Sequence, residues 1–244
     1  RMRGTWAKIF FGITAFNSLI GVLFSSWVSV SETAAEVAKG GSVESAAIQA
    51  NPEYFMTVFE RGSNVFFYFT ILSNVLVGVV CLILMTNPNK RGKVFDVFRL
   101  FSLIAIIITG IVYNTVLRQL SNPEGLSLVE NNMMHVLAPI WATVGWLIFG
   151  PRIQFKAAKL GWCVVIGLVW IVVTFVRGAI THWYPYPFLN VDSLGYPSAI
   201  IACTVILLIA VGLGAAIMGL DKKLPGPKPW LDEDAEKEPA TATA

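Results

Sequence analysis

Charge is what this sequence has least of, and the little it has is unevenly spread. Only 14% of its 244 residues are Asp, Glu, Lys or Arg, 55% are hydrophobic, and the mean hydropathy is +0.67, which excludes a disordered chain and a soluble cytosolic enzyme. Cysteine and histidine are scarcer still. The three cysteines, Cys81, Cys163 and Cys203, fall inside apolar runs at no disulfide or zinc spacing, and read as small buried apolar residues. There is no P-loop, no Rossmann glycine pattern, no cluster of metal ligands and no internal repeat of the inverted-transporter kind, so neither a metal nor a cofactor is expected. The basic residues are too scattered for a nucleic-acid footprint, and no nucleic-acid partner is expected.

What is present is six stretches free of Asp, Glu, Lys and Arg: residues 9–31, 62–89, 100–117, 131–151, 160–176 and 193–220. At a rise of about 1.5 Å per residue, each is long enough to cross a hydrocarbon core of about 30 Å as a helix. The expected fold is all-α: a polytopic membrane protein with six transmembrane helices over residues 1–220. The spans fall at about 6–30, 63–86, 97–119, 129–150, 160–181 and 195–220. The first apolar run exceeds the core of a signal peptide and reads as a retained span. Fourteen of the 18 Lys and Arg residues precede span one, flank the second and fourth connections, or follow span six. The positive-inside rule then places both termini in the cytoplasm. An outer loop over residues 31–62 is expected to end in a short amphipathic helix opened by Asn51-Pro52-Glu53. Residues 221–244, with three prolines and a run of acids, read as a disordered cytoplasmic tail.

Polar side chains inside spans carry the functional information, because lipid offers them no partner. Thr70, Ser73 and Asn74 share a face of span two. Span three carries Thr109, Tyr113, Asn114 and Arg118, span four Asn131 and His135, and span five Thr174, Arg177 and Thr181. All fall in the outer halves, whereas the inner halves look featureless. The expectation is a lipid-accessible pocket open to the outer leaflet, walled by spans two to five and roofed by Trp183, Tyr184 and Tyr186 together with the first loop. Packing glue is the competing reading for Ser73, Asn74 and Asn114, an interfacial aromatic belt for the Trp-Tyr run, and snorkelling to water for Arg118. His135 is expensive in an apolar span unless it has a purpose, either catalytic or a structural bond to Asn131 or Asn114. Arg177 needs a partner: Asp192, Glu130 or the anionic end of a ligand.

Without metal ligands or a carboxylate pair, these residues allow hydrolysis by a hydroxyl nucleophile and an imidazole base. Thr70 and His135 are the natural couple, with Asn74, Asn114, Tyr113 and Asn131 to orient or to donate to an oxyanion. Arg177, Arg118, Ser73, Trp183, Tyr184 and Tyr186 would contact substrate. Three segments carry a resemblance: Phe67-Tyr68-Phe69-Thr70-Ile71-Leu72-Ser73-Asn74, Asn131-Asn132-Met133-Met134-His135 with Pro139 and Trp146 behind it, and Arg177-Gly178 through Trp183-Tyr184-Pro185-Tyr186-Pro187-Phe188-Leu189. With these the chain resembles the bacterial branch of the androgen-induced / androgen-dependent TFPI-regulating protein family of multi-span membrane threonine hydrolases, departing from it at Asn190, where an acid is expected. The resemblance implies the six-span fold, a lipid-like ester of a fatty acid as substrate partner, and nucleophile and base roles for Thr70 and His135. The alternative reading is a non-enzymatic lipid- or ligand-binding membrane subunit. It expects the Thr70 hydroxyl on the Phe66 carbonyl and His135 out of reach; a channel would need polar residues continuing through the inner half.

Overall fold

In hydrocarbon a backbone has to satisfy its own N–H and C=O groups, and a long apolar segment does so as a helix. The computed structural model describes residues 2–31, 58–120, 123, 125–152 and 156–224, and these contain helices and no strand. Six helices are long and apolar enough to cross a membrane. Span one is Met2–Ser31 and span two Phe69–Thr86. Span three is Lys93–Val112, continued by a π-turn at Tyr113–Leu117 and a 3-10 turn at Arg118–Leu120. Span four is Gly125–Asn132, a second π-turn at Met133–Leu137, and Ala138–Phe149. Spans five and six are Ala157–Thr181 and Val191–Lys223. A short helix, Val58–Asn64, and a 3-10 turn, Val65–Phe67, lead into span two. The expected helix opening at Asn51 and the tail beyond residue 224 lie outside the described residues.

Two apolar clusters hold the bundle. Ala7, Phe11 and Ala15 of span one pack with Val77, Cys81 and Leu84 of span two, Ile106 of span three, and Ala138 and Ala142 of span four. Leu100, Leu103 and Ile104 of span three pack with Trp146, Cys163 and Ile217 of spans four, five and six. Spans five and six turn much of their surface outward, with Val172, Ile180, Ile201 and Leu208 all exposed, an apolar surface that suits lipid and not water. The chain is an all-α integral membrane protein.

Spans one, three, four and five begin three or four residues before the expected positions, and three further boundaries differ for a legible local reason. Span two does not begin at residue 63. Tyr68 is extended (φ −72°, ψ 130°), its ring edge-on to Trp183 and Tyr186, so the long helix starts at Phe69 and Thr70 lies in its first turn. Span six begins four residues early because Asn190 caps it, its Oδ1 accepting from Ser193 N at 3.2 Å, and Gly195 (φ 73°) then bends the chain ahead of Pro197. It also ends late, at Lys223, because Asp221 is drawn into the bundle, where Trp146 Nε1 donates to its Oδ1 at 3.3 Å.

That last contact lies among charged side chains gathered at the helix ends, beyond apolar inner stretches such as Val75 to Met85 and Gly161 to Val173. It sits at the end of the bundle shared by the start of span one and the end of span six. Arg99 is 1% exposed, donates to the Gly150 carbonyl at 3.3 Å and lies 5.7 Å from the Phe11 ring. Asp96 is paired with Lys159 and accepts from Gly92 N at 3.2 Å. Arg152 donates to the Trp146 carbonyl at 2.7 Å. Residues that sequence assigns only to topology thus tie spans one, three, four, five and six together.

Candidate active site

Thr70 and His135, 65 positions apart, meet at the opposite end of the bundle. Thr70 Oγ1 lies 3.3 Å from His135 Nε2. The other ring nitrogen, Nδ1, is 3.0 Å from the Asn131 carbonyl, which can only accept. Nδ1 therefore carries the proton, Nε2 presents a lone pair, and the Thr70 hydroxyl donates to it. The phenol of Tyr186 extends the chain. Its oxygen accepts from Thr70 N at 3.1 Å and stands 3.3 Å from Thr70 Oγ1, to which its O–H can donate. All donors run in one direction, from phenol to hydroxyl to imidazole to carbonyl, an order in which each bond polarises the next.

Tyr186 is 8% exposed. Burial pushes its phenol above the ordinary value of 10.0, against the opposing pull of hydrogen bonds from the Thr70 side chain and from the backbone of Thr70 and Phe69. It keeps its proton at neutral pH. The break at Tyr68 has a chemical consequence too: it leaves the Thr70 amide in a helix's first turn, where N–H groups lack intrahelical acceptors and favour negative charge.

The imidazole is held from several sides. Its ring stacks on Tyr113 with centroids 4.0 Å apart and planes inclined 26°. Behind it, the π-turn of span four shifts the hydrogen-bond register and frees backbone carbonyls. Three successive carbonyls are each taken by an asparagine from a different span. Asn17 of span one donates to Met133 O at 3.0 Å, Asn74 of span two to Met134 O at 3.3 Å, and Asn114 of span three to His135 O at 3.1 Å. Asn74 also donates to Thr70 O at 2.9 Å, so it braces Thr70 and the turn that carries His135 together.

Several expected roles change with this geometry. The side-chain amides of Asn74 and Asn114 are committed to backbone carbonyls, Asn114 also to Gly110 O at 2.8 Å, so both orient and neither is left to meet an oxyanion. Asn131 acts through its backbone carbonyl, and Tyr113 through its ring face. Ser73 is buried beneath the site, donating to Thr70 O at 2.9 Å and meeting Thr109 Oγ1 at 2.9 Å. Arg118 is exposed and donates to Asn114 Oδ1 at 3.2 Å. Arg177 meets two aromatic rings. Its guanidinium lies against the rings of Phe67 (3.9 Å) and Trp183 (4.8 Å) and donates to Asn64 Oδ1 at 2.8 Å, tying span five to the short helix that precedes span two. Asp192 pairs with His182, at 3.1 Å. Tyr184 packs on Gly178 so closely that a Cβ there would fall 2.1 Å from its ring.

Thr70, Thr109, Tyr113 and Tyr186 form the polar mouth of a narrow cavity of about 90 Å³. Its walls come from spans two, three, five and six rather than two to five, because span four is occupied in presenting His135. Below the mouth the lining is apolar, including Phe101, Ile104, Leu160, Val164 and Leu207. From Leu117 to Phe101 it follows span three over about 24 Å, at about 1.5 Å per residue. The cavity thus reaches well past the outer half where sequence placed it. Sequence reasoning missed Asn17, although a lone asparagine within an apolar run carries the same signal that drew attention to Asn74. Among the described residues no group of three or more His, Cys, Asp or Glu is placed to hold a metal ion. Comparison with protein families, curated proteins and solved structures finds no match.

Proposed function

We propose that this protein is an intramembrane hydrolase of an acyl ester, a fatty-acid ester in particular, with Thr70 as nucleophile and His135 as general base. The observation that carries the reading is the bond from the Thr70 hydroxyl to an imidazole nitrogen whose lone pair is guaranteed by the Asn131 carbonyl. A threonine packed for structure alone would bond its own preceding turn; this one bonds a base on another span.

The chemistry follows from the residues. As Thr70 Oγ1 attacks the ester carbonyl, its proton passes to His135 Nε2, and the Tyr186 phenol, oriented by the Thr70 amide, turns its O–H from Thr70 Oγ1 to the tetrahedral oxyanion. The imidazolium then protonates the departing alkoxide, leaving an acyl-threonine. Water, deprotonated by the same imidazole, releases the acid and restores the hydroxyl. The apolar cavity below the mouth suits the aliphatic part of the acyl group. The same segments support membership of the bacterial branch of the threonine-hydrolase family that the sequence resembles. The distribution of Lys and Arg supports both termini inside and the site toward the outer face, and the resemblance to the bacterial branch supports a bacterial cytoplasmic membrane.

The test is a long-chain fluorogenic acyl ester in vesicles, together with an alkyl fluorophosphonate. The wild type should turn over the ester and be labelled at Thr70, whereas Thr70→Ala and His135→Ala should lose both while keeping their thermal transition. Full turnover in either variant ends the reading, in favour of a non-enzymatic lipid-binding subunit.

A further inference from the structure

The cavity that opens at Thr70 has a bore. The centre of a water molecule can range over about 90 Å³ of it. Spread along the roughly 24 Å that the lining follows on span three, this leaves about 4 Å² at each level; a water radius of about 1.4 Å on every side then gives a channel about 5 Å wide. An unbranched polymethylene chain is about as thick, because non-bonded carbons keep about 4 Å apart. A ring is wider, and a methyl branch adds a carbon–carbon bond of about 1.5 Å to one side.

The two ends of the channel fix what it holds and how far it reaches. Thr70, Thr109, Tyr113 and Tyr186 stand at the mouth and the walls below them are apolar, so a chain in the channel hangs from a group held at Thr70. Leu160 and Phe101 lie at the deep end. There span six offers bare backbone: a Cβ on Gly214 would fall 2.4 Å from Leu160 Cδ1 and 3.0 Å from Ile104 Cδ1, so Leu160 seats on Gly214 and shuts the floor. From Tyr113, stacked on His135, to Phe101 span three descends about 18 Å, the reach of an extended chain of about 14 carbons at about 1.25 Å each. Between mouth and floor, Gly167 lines the wall one turn below Trp170, whose ring lies 6.3 Å from that of Tyr186. A Cβ on Gly167 would meet nothing within 4 Å, so a larger residue can stand in the channel without a clash.

We propose that this channel gauges the acyl chain of the substrate: it takes a straight chain of up to about 14 carbons and excludes branched and cyclic ones, with Gly167 keeping the bore open and Leu160 setting its depth. That the chain belongs to an ester rests on the function proposed above; that a straight chain enters the channel does not.

Two readouts separate these. Full-length protein in phosphatidylcholine vesicles is irradiated with tetradecanoic acid carrying a terminal diazirine, and the adducts are mapped. Adducts are expected at Phe101, Leu160 or Ala210 and should fall at least about tenfold in Gly167→Leu, which plugs the bore. No adduct at the floor, or floor labelling unchanged in Gly167→Leu, overturns the proposal. With fluorogenic esters, the wild type should favour a straight tetradecanoyl chain over an octadecanoyl chain and over one with a mid-chain methyl branch, by on the order of tenfold. Gly167→Leu should lower the ratio of kcat/KM for tetradecanoyl to butanoyl ester by on the order of a hundredfold, whereas Leu160→Ala should move the preferred chain longer. Branched and straight chains used alike, or a ratio unmoved by Gly167→Leu, also overturns the gauge. A wild type inactive on every ester counts against the hydrolase, and the labelling then decides the channel by itself.

Discussion

Tyr186 shows how much a single side chain can decide once its neighbours are known. Its phenol touches both the amide and the hydroxyl of Thr70, and burial holds its proton on. Tyr186→Phe removes one oxyanion donor and should lower kcat by about 10²-fold with little change in KM, read from steady-state kinetics in vesicles. The sign of its shift sets a pH expectation. A phenol whose pKa is raised stays protonated beyond its ordinary range, so loss of the Tyr186 proton should cause no decline in turnover below pH 10.0. An alkaline limb well below that value, absent from Tyr186→Phe, would refute the assignment. Gly178 carries a different demand: any larger residue meets the Tyr184 ring. Gly178→Ala should displace the roof and lower the thermal midpoint by several degrees, the cost of about 1–3 kcal/mol that overpacking brings.

Among the elements, the π-turn of span four matters most, because it converts a helix into a mount for His135. Three asparagines from spans one, two and three hold its carbonyls, and Asn17 touches neither Thr70 nor the imidazole. Asn17 is therefore a positioning residue. Asn17→Leu should lower kcat several-fold at nearly constant KM, with a stability loss of about 0.6–2 kcal/mol, the range measured for polar contacts between membrane helices. Asn17→Gln, which keeps the donor, should recover part of the rate. An effect on stability alone, with kcat unchanged, would reduce the asparagine to packing. The period and length of span four were legible in its apolar run. The π-turn was not, because a register shift of one residue leaves no mark in hydropathy and depends on partners from other helices.

Across the whole molecule, polar groups are concentrated at two ends with different tasks. One end gathers the hydroxyl, the imidazole and the phenol; the other locks Arg99, Asp96, Lys159 and Asp221 into a buried network. Removing one partner of such a network leaves a charge without compensation, so Arg99→Met should destabilise the bundle by about 3–5 kcal/mol in a detergent unfolding titration. The surviving folded fraction should retain its ester turnover per molecule, since the network lies at the far end from Thr70. Loss of turnover in proportion to more than the unfolded fraction would mean that the two ends are coupled.

Hydropathy alone determined the membrane class and the six spans, and it drew attention to Thr70, Asn74, Asn114 and His135, because hydrocarbon penalises an unpaired polar group wherever it lies along the chain. The chemistry of a hydroxyl and an imidazole, not hydropathy, singled out Thr70 and His135 as a pair. Tertiary structure decided which atoms each residue meets. It committed the side-chain amides of Asn74 and Asn114 to backbone carbonyls, set Arg177 against the Phe67 and Trp183 rings, and brought the Tyr186 phenol to Thr70. It exchanged span four for span six in the cavity wall and drew Asp221 inside. The physical reason is range: burial is a property of a segment read against its solvent, whereas a hydrogen bond of about 3 Å between helices depends on crossing angles, register and kinks that many distant residues set together.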